Sequence, residues 1–115
     1  MALALRDAGA DGVTVVNTIP GYLANAAGGP RLGNGNGGVS GPALLPVGVL
    51  ATRRVVERTG GPGAFPVIGC GGIRSAADAR QYLRAGAALV AIGTAALANP
   101  RIPQRVVRDL EKSDG

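Results

Sequence analysis

Apolar residues in this chain fall in short unbroken runs, separated by stretches where they return every three or four positions. The runs are "VTVV" from Val13 to Val16, "FPVIGC" from Phe65 and "ALVAIG" from Ala88. An unbroken apolar run of this length, flanked by glycine or proline, predicts a strand covered on both faces, as in a parallel sheet. Between the runs the period changes. "LLPVGVLATRRVVERTG" places Val47, Leu50, Ala51, Val55 and Val56 near one face, with Arg53, Arg54, Glu57 and Arg58 outside it. That pattern predicts an amphipathic helix stopped by Gly60 and Gly61. "SAADARQYLRAG" predicts a second helix, with Ser75 as N-cap and Asp78 three positions on. Thr94 to Asn99 reads as a short helical turn, and "PRIPQRVVRDLEKS" as a terminal helix turning Ile102, Val106, Val107 and Leu110 inward. At the other end, Ala2 to Ala8 reads as the tail of a helix stopped by Gly9 and Gly12. A helix in that place implies an earlier strand outside this sequence.

The resulting order, strand, loop, helix, strand, helix, strand, helix, predicts an α/β fold of right-handed parallel units without an internal domain boundary. One segment breaks the pattern. Residues 19–41, which include "GGPRLGNGNGGVSGP", are too long for an ordinary connector and too rich in glycine for a helix. They form either a disordered linker or a functional loop.

Composition narrows the function classes. The formal net charge of +5 comes almost wholly from arginine. Those arginines are spread over several helices among Glu57, Asp78, Asp109 and Glu111, and few aromatics are present to stack on bases, which argues against a nucleic-acid partner. Cys70 is the only cysteine and histidine is absent, so an intrachain disulfide cannot form and a structural zinc site lacks ligands. No apolar run approaches the roughly 18 residues needed to span a bilayer, and the N-terminus lacks the features of a secretory signal. The expectation is a cytoplasmic protein without a membrane partner.

Parallel strand–helix units bind ligands beyond the carboxyl ends of their strands. Those ends here are "VNT" at 16–18, "GCGGI" at 69–73 and "IGT" at 92–94. In "GCGGIRSAAD", Gly71 and Gly72 allow a sharp turn and a close backbone approach, while the free amides opening the Ser75 helix favour an anion. Gly93 and Thr94 repeat the arrangement one strand later. The pair of glycine turns predicts a phosphate seat, against the plainer reading of a tight turn. Asn17 and Thr18 offer an amide and a hydroxyl to a planar polar ring, or close the strand as an Asx or Ser/Thr turn. Cys70 reads as a small buried residue rather than a nucleophile, since no histidine accompanies it.

Taken in order, "GADGVTVVNT", "NGNGGVSGPALLPVGV" and "FPVIGCGGIRSAADARQYLRAGAALVAIGTA" closely resemble the C-terminal portion of class 1 dihydroorotate dehydrogenases. These are FMN enzymes with a (β/α)8 TIM barrel, and the similarity runs from about Asp7 to Pro100. The resemblance implies that residues 1–115 are a partial barrel, holding about the last three βα units, with residues 19–41 as an active-site loop. It implies that Val16 contacts FMN through its backbone, that Asn17 and Thr18 hold the orotate or dihydroorotate ring, and that Gly41 approaches FMN from the long loop. It further implies that Gly71, Gly72, Gly93 and Thr94 hold the FMN phosphate. The activity implied is oxidation of dihydroorotate to orotate in pyrimidine biosynthesis.

The departures from the family are equally specific. Its barrel needs eight strands and about 250 residues. Its flavin-side lysines, further substrate asparagines and the cysteine or serine base all lie upstream of the matching region. Cys70 stands where the family usually has Met or Val, so it does not inherit the base's role. The expectation is therefore a chain that supplies FMN and substrate binding without a catalytic residue, and that needs the N-terminal barrel portion or a homo-oligomer. Another FMN barrel, of the dihydropyrimidine dehydrogenase kind, shares the phosphate site, but "NT" with "GGVSGP" favours dihydroorotate. A non-catalytic fragment is the rival of a different class; alone, the chain is expected to be poorly soluble or oligomeric and to lack turnover.

Overall fold

A computed structural model describes residues 1–112. Its centre is a three-stranded parallel sheet made by β1 (Val13–Val15), β4 (Val67–Cys70) and β5 (Leu89–Ala91), in the spatial order β1-β4-β5. Val13 pairs with Val67 and Ile68 with Leu89, so the carboxyl ends of all three strands reach one rim. The three apolar runs thus form the parallel strands expected of them.

The helices between the strands cover the sheet. Helix α2 (Leu44–Arg58) follows β1 after a long excursion, and α3 (Ala76–Arg84) joins β4 to β5. A short α4 (Thr94–Ala98) and a terminal α5 (Ile102–Glu111) follow β5, and α1 (Ala2–Asp7) precedes β1. Ser75 caps α3 as its residue type dictates: its hydroxyl accepts from the Asp78 amide at 3.2 Å, and the Asp78 carboxylate accepts from the Arg74 amide at 3.0 Å. Such a cap stabilises a helix start by about 1 kcal/mol. This fold is α/β with parallel strands.

Two core clusters meet across β4. Val15, Val56 and Val67 form one; Ile73, Ala79, Tyr82, Ala87 and Val106 form the other, with Ile102 and Leu110 packed against it. Tyr82 is fully buried, and with Phe65 it supplies the aromatic rings of a core otherwise built from small and aliphatic side chains. Room for it comes from two glycines: a Cβ on Gly48 would meet the Tyr82 hydroxyl, and a Cβ on Gly69 would meet its ring.

Two details of the expected faces differ. On α2 the buried positions are Leu44, Gly48, Thr52 and Val56, while Val47 and Leu50 are 43% and 49% exposed. The helix is rotated because Gly48, not a larger neighbour, lets Tyr82 come close. On α5, Val107 is 55% exposed, because Val106 occupies the inward position against α3.

Residues 19–41 are not a disordered linker. Strands β2 (Ile19–Gly21) and β3 (Gly37–Val39) pair antiparallel, Ile19 opposite Val39 and Gly21 opposite Gly37, and an Ala24–Pro30 bridge lies further out. Asn25 closes the tip, its Oδ1 accepting from the amides of Ala27 and Gly29 at 3.0 and 3.1 Å.

Candidate functional site

At the rim where the strands end, a cleft of about 390 Å3 opens. Val16, Asn17 and Thr18 line it from the end of β1, Ser40, Gly41 and Pro42 from the hairpin's return, and Cys70 to Arg74 from the end of β4. Gly93, Thr94 and Ala95 close it from the end of β5. All eight residues singled out in the sequence, Val16, Asn17, Thr18, Gly41, Gly71, Gly72, Gly93 and Thr94, border this one space.

Its floor is built from backbone. The Val16 amide donates to the Cys70 carbonyl at 2.9 Å, which ties the ends of β1 and β4 together. The Val15–Val16 peptide bond is cis. Beyond Cys70 the chain turns through Gly71 and Gly72, at φ +133° and +72°. A Cβ on Gly72 would stand 2.6 Å from the Leu45 nitrogen and 2.9 Å from the Gly41 carbonyl oxygen, so the turn rests directly on the start of α2. Gly41 in turn accepts from the Leu44 amide at 3.0 Å. The Tyr82 hydroxyl rises from the core and donates to the Gly71 carbonyl at 2.7 Å. Burial pushes that hydroxyl's pKa up to about 12, with negative charge on Cys70 adding to the effect.

The opposite wall is kept clear. A Cβ added at Gly41 or at Gly93 would meet nothing within 4 Å, so both glycines face open space in the cleft. The amides of Gly72, Gly93 and Thr94 donate to no protein acceptor among the described residues. Neutral N–H donors of this kind at helix starts and glycine turns suit an anionic group such as a phosphate. The donor set and the bare backbone therefore fit the phosphate and ring edge of a flavin mononucleotide.

The polar pair after β1 is partly self-engaged. Asn17 Oδ1 accepts from the Thr18 amide at 2.8 Å, the local closure of an Asx-like turn. The Asn17 amide group and the Thr18 hydroxyl still border the cleft, both side chains being exposed. Thr18 also packs on β3, where a Cβ on Gly38 would collide with its hydroxyl. Cys70 is half-buried rather than buried, since it ends its strand at the cleft wall.

Three contributors escaped the sequence reading. Tyr82 has the helical spacing of any core residue, and nothing local shows that its hydroxyl reaches Gly71. Ser40 sits in a glycine run that carries no period. Arg74 reads in the sequence as one more surface arginine, yet among the described residues it is the only charged side chain on the cleft.

Parallel strand–helix units with a cleft at the carboxyl rim, walled by glycine turns after adjacent strands, are the arrangement of a segment of a (β/α)8 barrel. A family model described as dihydroorotate dehydrogenase matches residues 1–113, and the chain belongs to that family. It is 40% identical over 111 residues to the dihydroorotate dehydrogenase B (NAD(+)) catalytic subunit of Anoxybacillus flavithermus, a match covering 96% of this chain and 34% of the relative. The same-named subunit of Bacillus pumilus is 42% identical over 111 residues, again covering 96% of this chain and 34% of the relative. That of Cutibacterium acnes is 42% identical over 115 residues, covering 96% and 35%. The chain spans about a third of the length of the curated relatives it matches.

Proposed function

We propose that this chain is the FMN- and substrate-binding C-terminal portion of a dihydroorotate dehydrogenase acting in pyrimidine biosynthesis. The observation that carries the reading is the convergence of eight residues, from three separate strand ends and the hairpin, on one cleft. FMN, when bound, supplies the hydride acceptor that converts dihydroorotate to orotate.

The chain's own residues divide the work by chemistry. Gly71, Gly72, Gly93 and Thr94 hold the FMN phosphate through backbone amides and the Thr94 hydroxyl. Val16 contacts the flavin with its backbone, and Gly41 lets the hairpin's return approach the ring without a side chain between. Asn17 and Thr18 face the ring of dihydroorotate, whose amide and carbonyl edge matches a carboxamide and a hydroxyl. Among the described residues the cleft lining holds no carboxylate, and the chain has no histidine, so we assign proton removal from the substrate to the remainder of a barrel. Turnover then requires the remainder of a barrel, and we place the reaction in the cytoplasm, in keeping with a lone cysteine that has no intrachain partner.

Titrating the purified chain with FMN and following flavin fluorescence tests the binding half of the reading; saturable quenching is expected. Dihydroorotate oxidation is expected only after co-expression with the N-terminal two thirds of a relative. Unaltered flavin fluorescence across the titration would overturn the proposal.

A further inference from the structure

We infer that Arg74 is the residue that pairs a positive charge with the phosphate of the bound flavin, an inference that rests on the reading above. The other polar groups on the cleft, the backbone amides, the hydroxyls of Thr18, Ser40 and Thr94, the Asn17 carboxamide and the Cys70 thiol, carry no fixed charge. A phosphate monoester near neutral pH carries between one and two negative charges. Among the described residues Arg74 is the only cationic side chain on the lining, and it directly follows the Gly71–Gly72–Ile73 turn.

The geometry leaves this guanidinium available. Its side chain is 57% exposed, and its Nε lies 4.0 Å from Asp78 Oδ2, the outer limit of an ion pair. That same Asp78 oxygen is already engaged at 3.0 Å by the Arg74 backbone amide. No other hydrogen bond or ion pair of the guanidinium occurs among the described residues. Asp78 stands at the start of α3, and its carboxylate repels an incoming phosphate. Arg74 offsets that charge at the point where the helix amides converge. A planar guanidinium presents two parallel N–H donors to two phosphate oxygens, a match that a glutamine lacks and that a lysine makes only as a point charge.

The test compares FMN with riboflavin, which shares the ring but has no phosphate, on the full chain and on R74Q and R74K. R74Q is expected to weaken FMN binding about tenfold, the scale of one charge-assisted hydrogen bond, and to leave riboflavin binding unchanged. R74K is expected to keep most of the FMN affinity. Added salt should weaken FMN binding more in the parent chain than in R74Q. Because Arg74 is exposed, unchanged far-ultraviolet circular dichroism is expected for both variants. Equal loss of FMN and riboflavin affinity would assign Arg74 a structural role and overturn the inference. If the parent chain prefers FMN and R74Q keeps that preference, the inference alone falls. If the parent binds FMN no better than riboflavin, the phosphate seat falls with it.

Discussion

The Tyr82 hydroxyl donates to the Gly71 carbonyl at 2.7 Å, which joins the most buried ring of the core to the turn that floors the cleft. Core packing and site geometry are therefore one problem at this point. Tyr82 can reach Gly71 only because Gly48 and Gly69 carry no side chain where its ring and hydroxyl lie. Tyr82→Phe keeps the ring and removes the donor. The expected cost is about 1 kcal/mol, the net value of one such hydrogen bond. It should appear as a lower urea midpoint with an unchanged slope, together with weaker FMN binding as the turn relaxes.

The same hydroxyl makes stability depend on pH on the alkaline side. Its pKa is raised from 10.0 to about 12, chiefly by burial and secondly by charge on Cys70. The unfolded chain therefore releases this proton first as pH rises. Tyr82's contribution is fully present below about pH 10 and is lost as pH climbs from there towards 12. Urea midpoints measured at about pH 9 and about pH 11 should fall more steeply in the parent chain than in Tyr82→Phe. Cys70→Ala should keep most of the slope, since burial is the larger cause.

Two cleft glycines should respond in opposite ways to alanine. At Gly72, φ is +72° and a Cβ would stand 2.6 Å from the Leu45 nitrogen, so both backbone strain and a contact with the α2 backbone oppose it. Gly72→Ala is expected to destabilise the chain by about 2 kcal/mol or more. At Gly93 the added methyl meets nothing within 4 Å, and it projects into the cleft. Gly93→Ala is expected to leave the thermal midpoint within about a degree of the parent's, on the scale of a neutral change. Its effect should be on FMN affinity. A thermal melt and a flavin titration on each variant check the pair.

Much of this was legible in the sequence because it is written in local patterns. The apolar runs at Val13, Phe65 and Ala88 form the strands their unbroken pattern predicts, though only β4 is without an exposed residue, Thr14 of β1 and Leu89 of β5 being open to solvent. Ser75 and Asp78 announce a helix start through hydrogen bonds that span only four residues. Glycine turns after adjacent strands marked the rim where the cleft lies. The β2–β3 hairpin was not legible, because its strands Ile19–Gly21 and Gly37–Val39 hold three glycines and a proline, which erase the period-two signal. The α2 face was misjudged for a non-local reason. Gly48 is buried by a tyrosine from another helix, and no window around Gly48 contains that tyrosine.

The hairpin gives the last prediction, because it ties its own register to the polar pair after β1. Strand β3 passes so close to Thr18 that a Cβ on Gly38 would overlap the Thr18 hydroxyl. Pro20 lies opposite Gly38 in the ladder, so β2 is stiff there and the displacement falls on Thr18. Gly38→Ala should therefore move Thr18, and with it Asn17, whose Oδ1 holds the Thr18 amide at 2.8 Å. The amides of Gly72, Gly93 and Thr94 lie on other elements and keep their places. FMN affinity should stay within about twofold of the parent, while orotate affinity of the FMN-loaded chain should fall by about tenfold, the worth of one or two hydrogen bonds. Orotate binding can be followed as a perturbation of the flavin absorption band. An equal loss of both ligands would mean that the hairpin supports the whole cleft rather than the Asn17–Thr18 pair.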